Sequence, residues 1–258
     1  MTEAPHLSVV IPLAPREAEH GGLLAALHAL PPGQEVILVR AAGQAPPDPG
    51  PWPPHLLLRH AEAPAGRARQ MNAGALLAGG EWLWFLHADS RLLHGTLPAL
   101  LRFTARGAPA LGWFALRFRA DGPWPTQLNA WGANCRSACL GLPFGDQGLV
   151  LPADSFRALG GYDEAAPYGE DHLLVWAAHT ARLPVRPVGA ALSTSARKYA
   201  CRGWLGTTGC TGASPPSRPG GRGAACAPPV PPRRRAARAD REQAASPDRV
   251  RMLVKIMI

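Results

Sequence analysis

Three carboxylates in this chain are placed as a group-transfer site would need them. Asp89 closes the run Trp82-Leu83-Trp84-Phe85-Leu86-His87-Ala88-Asp89, which reads as a buried strand ending on an acid. Further along, Gly160-Gly161-Tyr162-Asp163-Glu164 leads into Gly169-Glu170-Asp171. A carboxylate at the C-terminal end of a strand can hold a metal ion, and an acid pair at a helix start can take a proton. Together they suggest group transfer from a metal-bound diphosphate donor to a hydroxyl acceptor. Each acid also has a plainer use. Asp89 can cap the turn after its strand, and Glu170 and Asp171 can favour a helix N-terminus through its dipole.

The elements that must position these acids alternate. Leu7–Pro12 is a β-branched run stopped by proline, Glu35–Val39 a second strand, Leu56–Leu58 a third and Trp82–His87 a fourth. Between them, Glu17–Leu30 and Ala65–Ala78 carry helical spacing, and Pro/Gly-rich residues 43–54 read as a loop. This alternation predicts an α/β fold with a mostly parallel sheet flanked by helices, and ligands in such sheets sit beyond the C-terminal ends of the strands, where Asp89 falls. Helices are then expected over Leu97–Arg106, Trp124–Cys139, Asp154–Leu159 (with Asp154 as N-cap and Gly160-Gly161 as stop) and Asp171–Arg182. Strands are expected over Ala110–Phe118, Gly148–Leu151 and Val185–Val188.

Charge divides the 258 residues unevenly. Residues 1–196 carry 14 Arg against 15 acids, net −1, while residues 197–258 carry 13 basic residues against 3 acids, net +10. The formal charge of +9 therefore belongs to the C-terminal segment, and nucleic acid is not an expected partner of the body. We expect a single domain over 1–198 and a Pro/Gly/Arg-rich tail over 199–258. Its composition cannot bury enough surface to offset ordering entropy, so the tail is expected to be disordered. Arginine outnumbers lysine 25 to 2, and the tail reads as an out-of-frame translation of a GC-rich gene. The five cysteines, with no CxxC pair, fit neither a disulfide framework nor a zinc site. Cys135 and Cys139 are expected to pack as small apolar groups on one helix face. A reducing cytoplasm is the simplest compartment, for the sequence shows neither a signal peptide nor a run of ~18 apolar residues.

Five segments, in order, resemble the family 2 glycosyltransferases of GT-A (Rossmann-like) fold. They are Leu7–Pro12, Gly66-Arg67-Ala68-Arg69-Gln70-Met71-Asn72-Ala73-Gly74, Phe85-Leu86-His87-Ala88-Asp89, Gly145-Asp146-Gln147-Gly148, and Gly160-Gly161-Tyr162 with Glu170-Asp171. The similarity is to a bacterial subgroup with GRARQMNAG, FLHAD and GDQG signatures, and it spans about residues 7–198. It implies a nucleotide-sugar donor and a divalent cation, Mn²⁺ or Mg²⁺, held by Asp89. His87 and Ala88 fill the rest of the triplet on the donor side, His87 as a second ligand or turned into the core. Arg67, Arg69 and Asn72, with Pro12 and Glu17 after the first strand, are the implied donor-binding residues. Asp146 and Gln147 are implied to receive sugar or acceptor hydroxyls. Asp171, beside Glu170, is the implied general base, and a single base opposite the leaving group would invert the anomeric centre. The acceptor hydroxyl would belong to a lipid or a polysaccharide, with peripheral contact at the inner membrane surface. Trp124 and Trp131 are candidates to stack on an acceptor, against the commoner fate of burial.

The chain departs from the family pattern twice. Leu13-Ala14-Pro15-Arg16-Glu17 keeps only the Glu of an Asn-Glu pair, and Val39-Arg40-Ala41-Ala42-Gly43 lacks the acid that recognises the base. These departures keep open a degenerate relative that binds a nucleotide or glycan without turnover. A nucleotidyltransferase would want a glycine-rich loop after the first strand, which Leu13-Ala14-Pro15-Arg16 is not.

Overall fold

The computed structural model describes residues 6–14, 20–122 and 125–196. Glu17, Trp124 and the tail expected to be disordered lie outside them.

Strands β1 (Leu7–Leu13), β2 (Glu35–Ala41), β3 (Leu57–Ala63), β4 (Trp82–Phe85), β5 (Arg91–Leu92), β6 (Leu111–Phe118), β7 (Val150–Pro152) and β8 (Val185–Thr194) form one sheet, in the order β3-β2-β1-β4-β7-β6-β8-β5. Helices α1 (Gly21–Leu27), α2 (Arg67–Leu77), α3 (Thr96–Thr104), α4 (Thr126–Leu140), α5 (Ala153–Ala158) and α6 (Glu170–Thr180) flank it, with a 3₁₀ turn at Gly145–Gln147. The sheet has two halves. β3, β2, β1 and β4 run parallel, as the alternation predicts. β7 then pairs antiparallel with both β4 and β6, β8 runs parallel to β6, and β5 closes the edge antiparallel to β8.

Both faces are covered, which is why the central strands read as continuous apolar runs rather than alternating ones. On one face Val9, Ile11, Val36, Leu38 and Trp84 pack with Leu23, Leu24 and Leu27 of α1 and Leu100 and Phe103 of α3. On the other Val10, Ile37, Val39, Leu83 and Phe85 pack with Met71 of α2, Phe156 of α5 and Leu174 and Val175 of α6. Each of these side chains contributes about 1.5–3 kcal/mol by leaving water. Helix α2 sits so close to β1 and β2 that a Cβ on Gly74 would overlap Val10 and come within 2.9 Å of Val39 Cγ2. We therefore predict that Gly74→Ala costs about 1–3 kcal/mol despite better helix propensity, read as a lower urea midpoint at unchanged m-value.

Several expectations are revised. β1 continues through Pro12 to Leu13, because the proline is buried in the strand opposite Val39 rather than ending it. β3 runs to Ala63, and β8 continues past Val188 to Thr194 across a register shift against β6. Asp154 is not an N-cap; α5 begins after Pro152, and Asp154 pairs with Arg157 at 2.9 Å. Cys135 is half-buried and Cys139 exposed on α4, so the pair does not pack into a core. Trp131, on the same helix, is 68% exposed.

Candidate functional site

The C-terminal ends of β1–β4 and the turns that follow them form one rim, and the topology brings the acids of both sequence regions to it. β4 leads through Leu86, whose N–H donates to Val10 O, into a turn closed by the Ser90 N–H on His87 O. Asp89 lies on that turn, partly exposed, and its Oδ2 accepts a hydrogen bond of 3.0 Å from Thr194 Oγ1 at the end of β8. Because β7 runs antiparallel to β4, the 3₁₀ turn before β7 lands beside the end of β4. There His87 Nδ1 meets Asp146 Oδ1 at 2.8 Å. His87 is thus neither in the core nor apart from the acids.

The second acid pair opens α6. Gly169 takes a left-handed φ of 75° at the N-cap, and Glu170 and Asp171 occupy the first turn. Asp171 is fastened to the same 3₁₀ turn: its Oδ2 accepts the Gly145 N–H at 2.5 Å, and its Oδ1 accepts the His172 N–H at 2.9 Å. Asp146, which pairs with His87, and Gly145, which holds Asp171, are adjacent in sequence. One tight turn therefore joins the β4 side of the rim to the α6 side. A Cβ on Gly145 would stand 3.1 Å from Asp171 Oδ2, and Gly148 takes φ 61° against Leu192 and Trp84, so both glycines of Gly-Asp-Gln-Gly are required by space or backbone.

Arg67 starts α2 and reaches across to Glu170 Oε1 at 3.5 Å, so its charge partner is the acid beside Asp171. Arg69 is exposed one turn-step further along, while the intervening Ala68 and the following Gln70 are buried. Tyr162 lies buried beneath this acid pair, edge-on to Phe85. Burial first, and the nearby Asp171 and Glu170 next, push its phenol well above the usual range and keep it protonated.

Four expected site residues make contacts within the scaffold. Gln147 is fully buried; its amide nitrogen donates to Phe114 O at 3.1 Å and to Asn134 Oδ1 at 3.4 Å, and its oxygen accepts from Ser137 Oγ and Phe144 N, so its hydrogen-bonding capacity is used internally. Asn72 clamps the Tyr162 backbone with both ends of its amide at 2.9 Å and also donates to Glu164. Ala88 is turned into the core, and Pro12 is buried within β1. Sequence reasoning missed Gln70, whose buried amide donates to Leu13 O and Val39 O and ties together the ends of β1 and β2. Its signal was a polar residue between two apolar ones on the inner face of α2. Arg136 and His172 were also missed. Arg136 Nη2 lies 2.9 Å from His172 Nε2, and its guanidinium stacks 3.5 Å from the Phe144 ring centroid. Their only signal was a histidine directly after the acid pair.

At the end of β2, where an acid was sought, Arg40 pairs with Glu62 on β3 at 2.6 Å, and Glu62 also accepts the Gly43 N–H at 3.2 Å. The nearest carboxylate to that end thus comes from the neighbouring strand.

Among the described residues no cluster of three or more His, Cys, Asp or Glu side chains is arranged to hold a metal ion. One carboxylate at a strand end is nevertheless the donor set that suits Mg²⁺ or Mn²⁺ bound mainly through substrate phosphates and water. Among the described residues no helix is long and apolar enough to cross a membrane.

Residues 45–148 match the family described as Glycosyl transferase family 2, a span holding α2, β4 with Asp89, and the Gly145–Gln147 turn. No curated protein matches the chain. Among solved structures, the fold is similar to Staphylococcus aureus TarS 1–349 in complex with UDP-GlcNAc, with TM-score 0.56 and 15% identity over 74% of this chain and 58% of that one. It is also similar to the mannosyltransferase PcManGT from Pyrobaculum calidifontis in complex with GDP-Man and Mn²⁺, with TM-score 0.58 and 18% identity over 79% of this chain and 60% of that one. The fold is accordingly GT-A, and the chain spans about three-fifths of the length of these structures.

Proposed function

We propose that the chain is a family 2 glycosyltransferase that moves a sugar from a nucleotide-diphosphate donor to a hydroxyl acceptor, with inversion at the anomeric carbon. The observation that carries this reading is the turn Gly145–Gln147, which holds His87, two residues before Asp89, through Asp146 and holds Asp171 through the Gly145 N–H, so that the β4 end and the α6 start share one rim. Support comes from the family match over residues 45–148 and from the nucleotide sugars bound by proteins of the same fold.

In this reading Asp89 is the protein ligand of a divalent cation, which when bound neutralises charge on the diphosphate. Thr194 orients that carboxylate. Arg67 and Arg69, at the N-terminus of α2, flank the donor phosphates, although Arg67 must share its charge with Glu170. Asp171 accepts the proton of the acceptor hydroxyl as its oxygen bonds to the anomeric carbon. The bond from that carbon to the diphosphate breaks, and its electron pair leaves with the diphosphate. One displacement from the face opposite the leaving group inverts the centre. The base of the nucleotide lies toward the ends of β2 and β3, with Glu62 as the available carboxylate.

The test is thermal denaturation of the full chain with UDP, GDP and dTDP sugars, with and without Mn²⁺. At about a hundredfold excess over Kd a bound donor stabilises by about 2.7 kcal/mol, several degrees in Tm. We expect a manganese-dependent shift for one nucleotide, lost in Asp89→Ala. A folded protein shifted by none of them overturns the donor site.

A further inference from the structure

Asp171 is the reading's general base, yet the residues that aim it have so far had no role. Arginine is always a donor, so the 2.9 Å contact from Arg136 Nη2 makes His172 Nε2 an acceptor. A neutral imidazole accepting at Nε2 must carry its proton on Nδ1. That Nδ1 is buried without a hydrogen-bond partner among the described residues and stands 3.6 Å from Asp171 Oδ1, just beyond hydrogen-bond distance. Arg136 is in turn anchored, with its Nε donating to Leu142 O at 3.0 Å and its face against Phe144, which also packs edge-on to the His172 ring.

Resting on the reading of Asp171 as base, we propose that Arg136 and His172 are positioning residues. Arg136 fixes His172 as the Nδ1–H tautomer, and that N–H closes onto Asp171 Oδ1 when an acceptor is bound. The consequence is a choice between the two carboxylate oxygens. Oδ1 would then accept the His172 backbone N–H and the ring Nδ1–H, filling both its lone pairs. Among the described residues Oδ2 accepts the Gly145 N–H alone, which leaves one lone pair for the acceptor's proton. Catalytic hydrogen bonds that are long in the free protein commonly tighten in the complex. Burial keeps the ring neutral: it lowers the His172 value, with Arg136 acting in the same sense and Asp171 and Glu170 opposing.

The experiment is ¹⁵N NMR of the histidine-labelled full chain, with His172 assigned by the signal missing in His172→Asn, alongside transfer kinetics. We expect neutral Nδ1–H imidazole in the wild type, and a mixed tautomer that takes up a proton at higher pH in Arg136→Met. An Nε2–H ring in the wild type overturns the proposal. In kinetics His172→Phe lowers kcat by about tenfold or more with donor KM unchanged. His172→Asn, which can place an amide N–H near the Nδ1 position, recovers part of the loss. Wild-type kcat in His172→Phe overturns the proposal. Should the wild type transfer no sugar from any donor, the glycosyltransferase reading fails, and the tautomer measurement alone decides whether the Arg136–His172 pair holds the ring as described.

Discussion

Asp171→Asn is expected to lower transfer by about 10²–10⁴-fold while leaving the donor-dependent thermal shift in place. The asparagine keeps the size of the side chain, and its one oxygen can still accept the Gly145 N–H while the bond from the His172 N–H is given up, so the turn it braces is expected to persist with some loss of stability. What it cannot do is take a proton at neutral pH. Steady-state rates beside Tm with and without donor separate the two functions. A variant that transfers at the wild-type rate excludes Asp171 as the base, and a variant that no longer binds donor shows that the acid serves the fold or the donor instead. Gly145→Ala is a useful companion, since its methyl group would press on Asp171 Oδ2 without altering any ionisable group.

The second large effect lies at the opposite end of the strands. Glu35 is the first residue of β2 and is fully buried. Its carboxylate accepts from Ser8 Oγ at 2.5 Å and Gly79 N at 3.0 Å, and it pairs with Arg59 Nε at 2.6 Å. Ser8 in turn accepts the Gly80 N–H, so one acid satisfies donors from β1, β3 and the loop before β4. Glu35→Ala would leave these donors facing a cavity. We expect a loss of about 3 kcal/mol, near the low end for a broken buried pair because Arg59 is half-exposed and can rehydrate. Urea unfolding should show a lower midpoint at unchanged m-value. Any donor-dependent thermal shift should be unaltered, because Glu35 stands at the N-terminal ends of the strands and the candidate site at their C-terminal ends.

The contrast between these two acids shows what the sequence makes legible. β1, β2, β4 and α2 could be read because local patterns decide them: apolar runs of strand length, helical spacing and glycine or proline stops. Asp89 and Asp171 could be read as candidates because the first comes just after a strand and the second opens a helix. In the other half β6, β7 and the start of β8 could be read as strands, but their pairing and full extent could not. β5 is two residues long and exists only through its pairing with Ser193 and Leu192. β8 passes through Gly189 and ends in polar residues, so nothing local extends it past Val188. Amide side chains were the hardest to assign. Gln147, buried, and Asn72, partly exposed, carry polar groups that suit a ligand or the scaffold equally well, and the carbonyls and N–H groups that meet them come from distant segments. Glu35 was opaque for the same reason, its partners lying at residues 8, 59 and 79.

The hydrogen bond from Thr194 to Asp89 spans 105 residues and belongs to the final strand of the sheet. During synthesis the segment bearing Asp89 leaves the ribosome long before β8 exists. Until β8 inserts between β6 and β5, Asp89 lacks the hydroxyl that orients it. Closing such a long loop is also slow relative to local helix formation. The order of events at the rim would thus be built into the topology: a newly made chain acquires its parallel half first and the contact that orients Asp89 last.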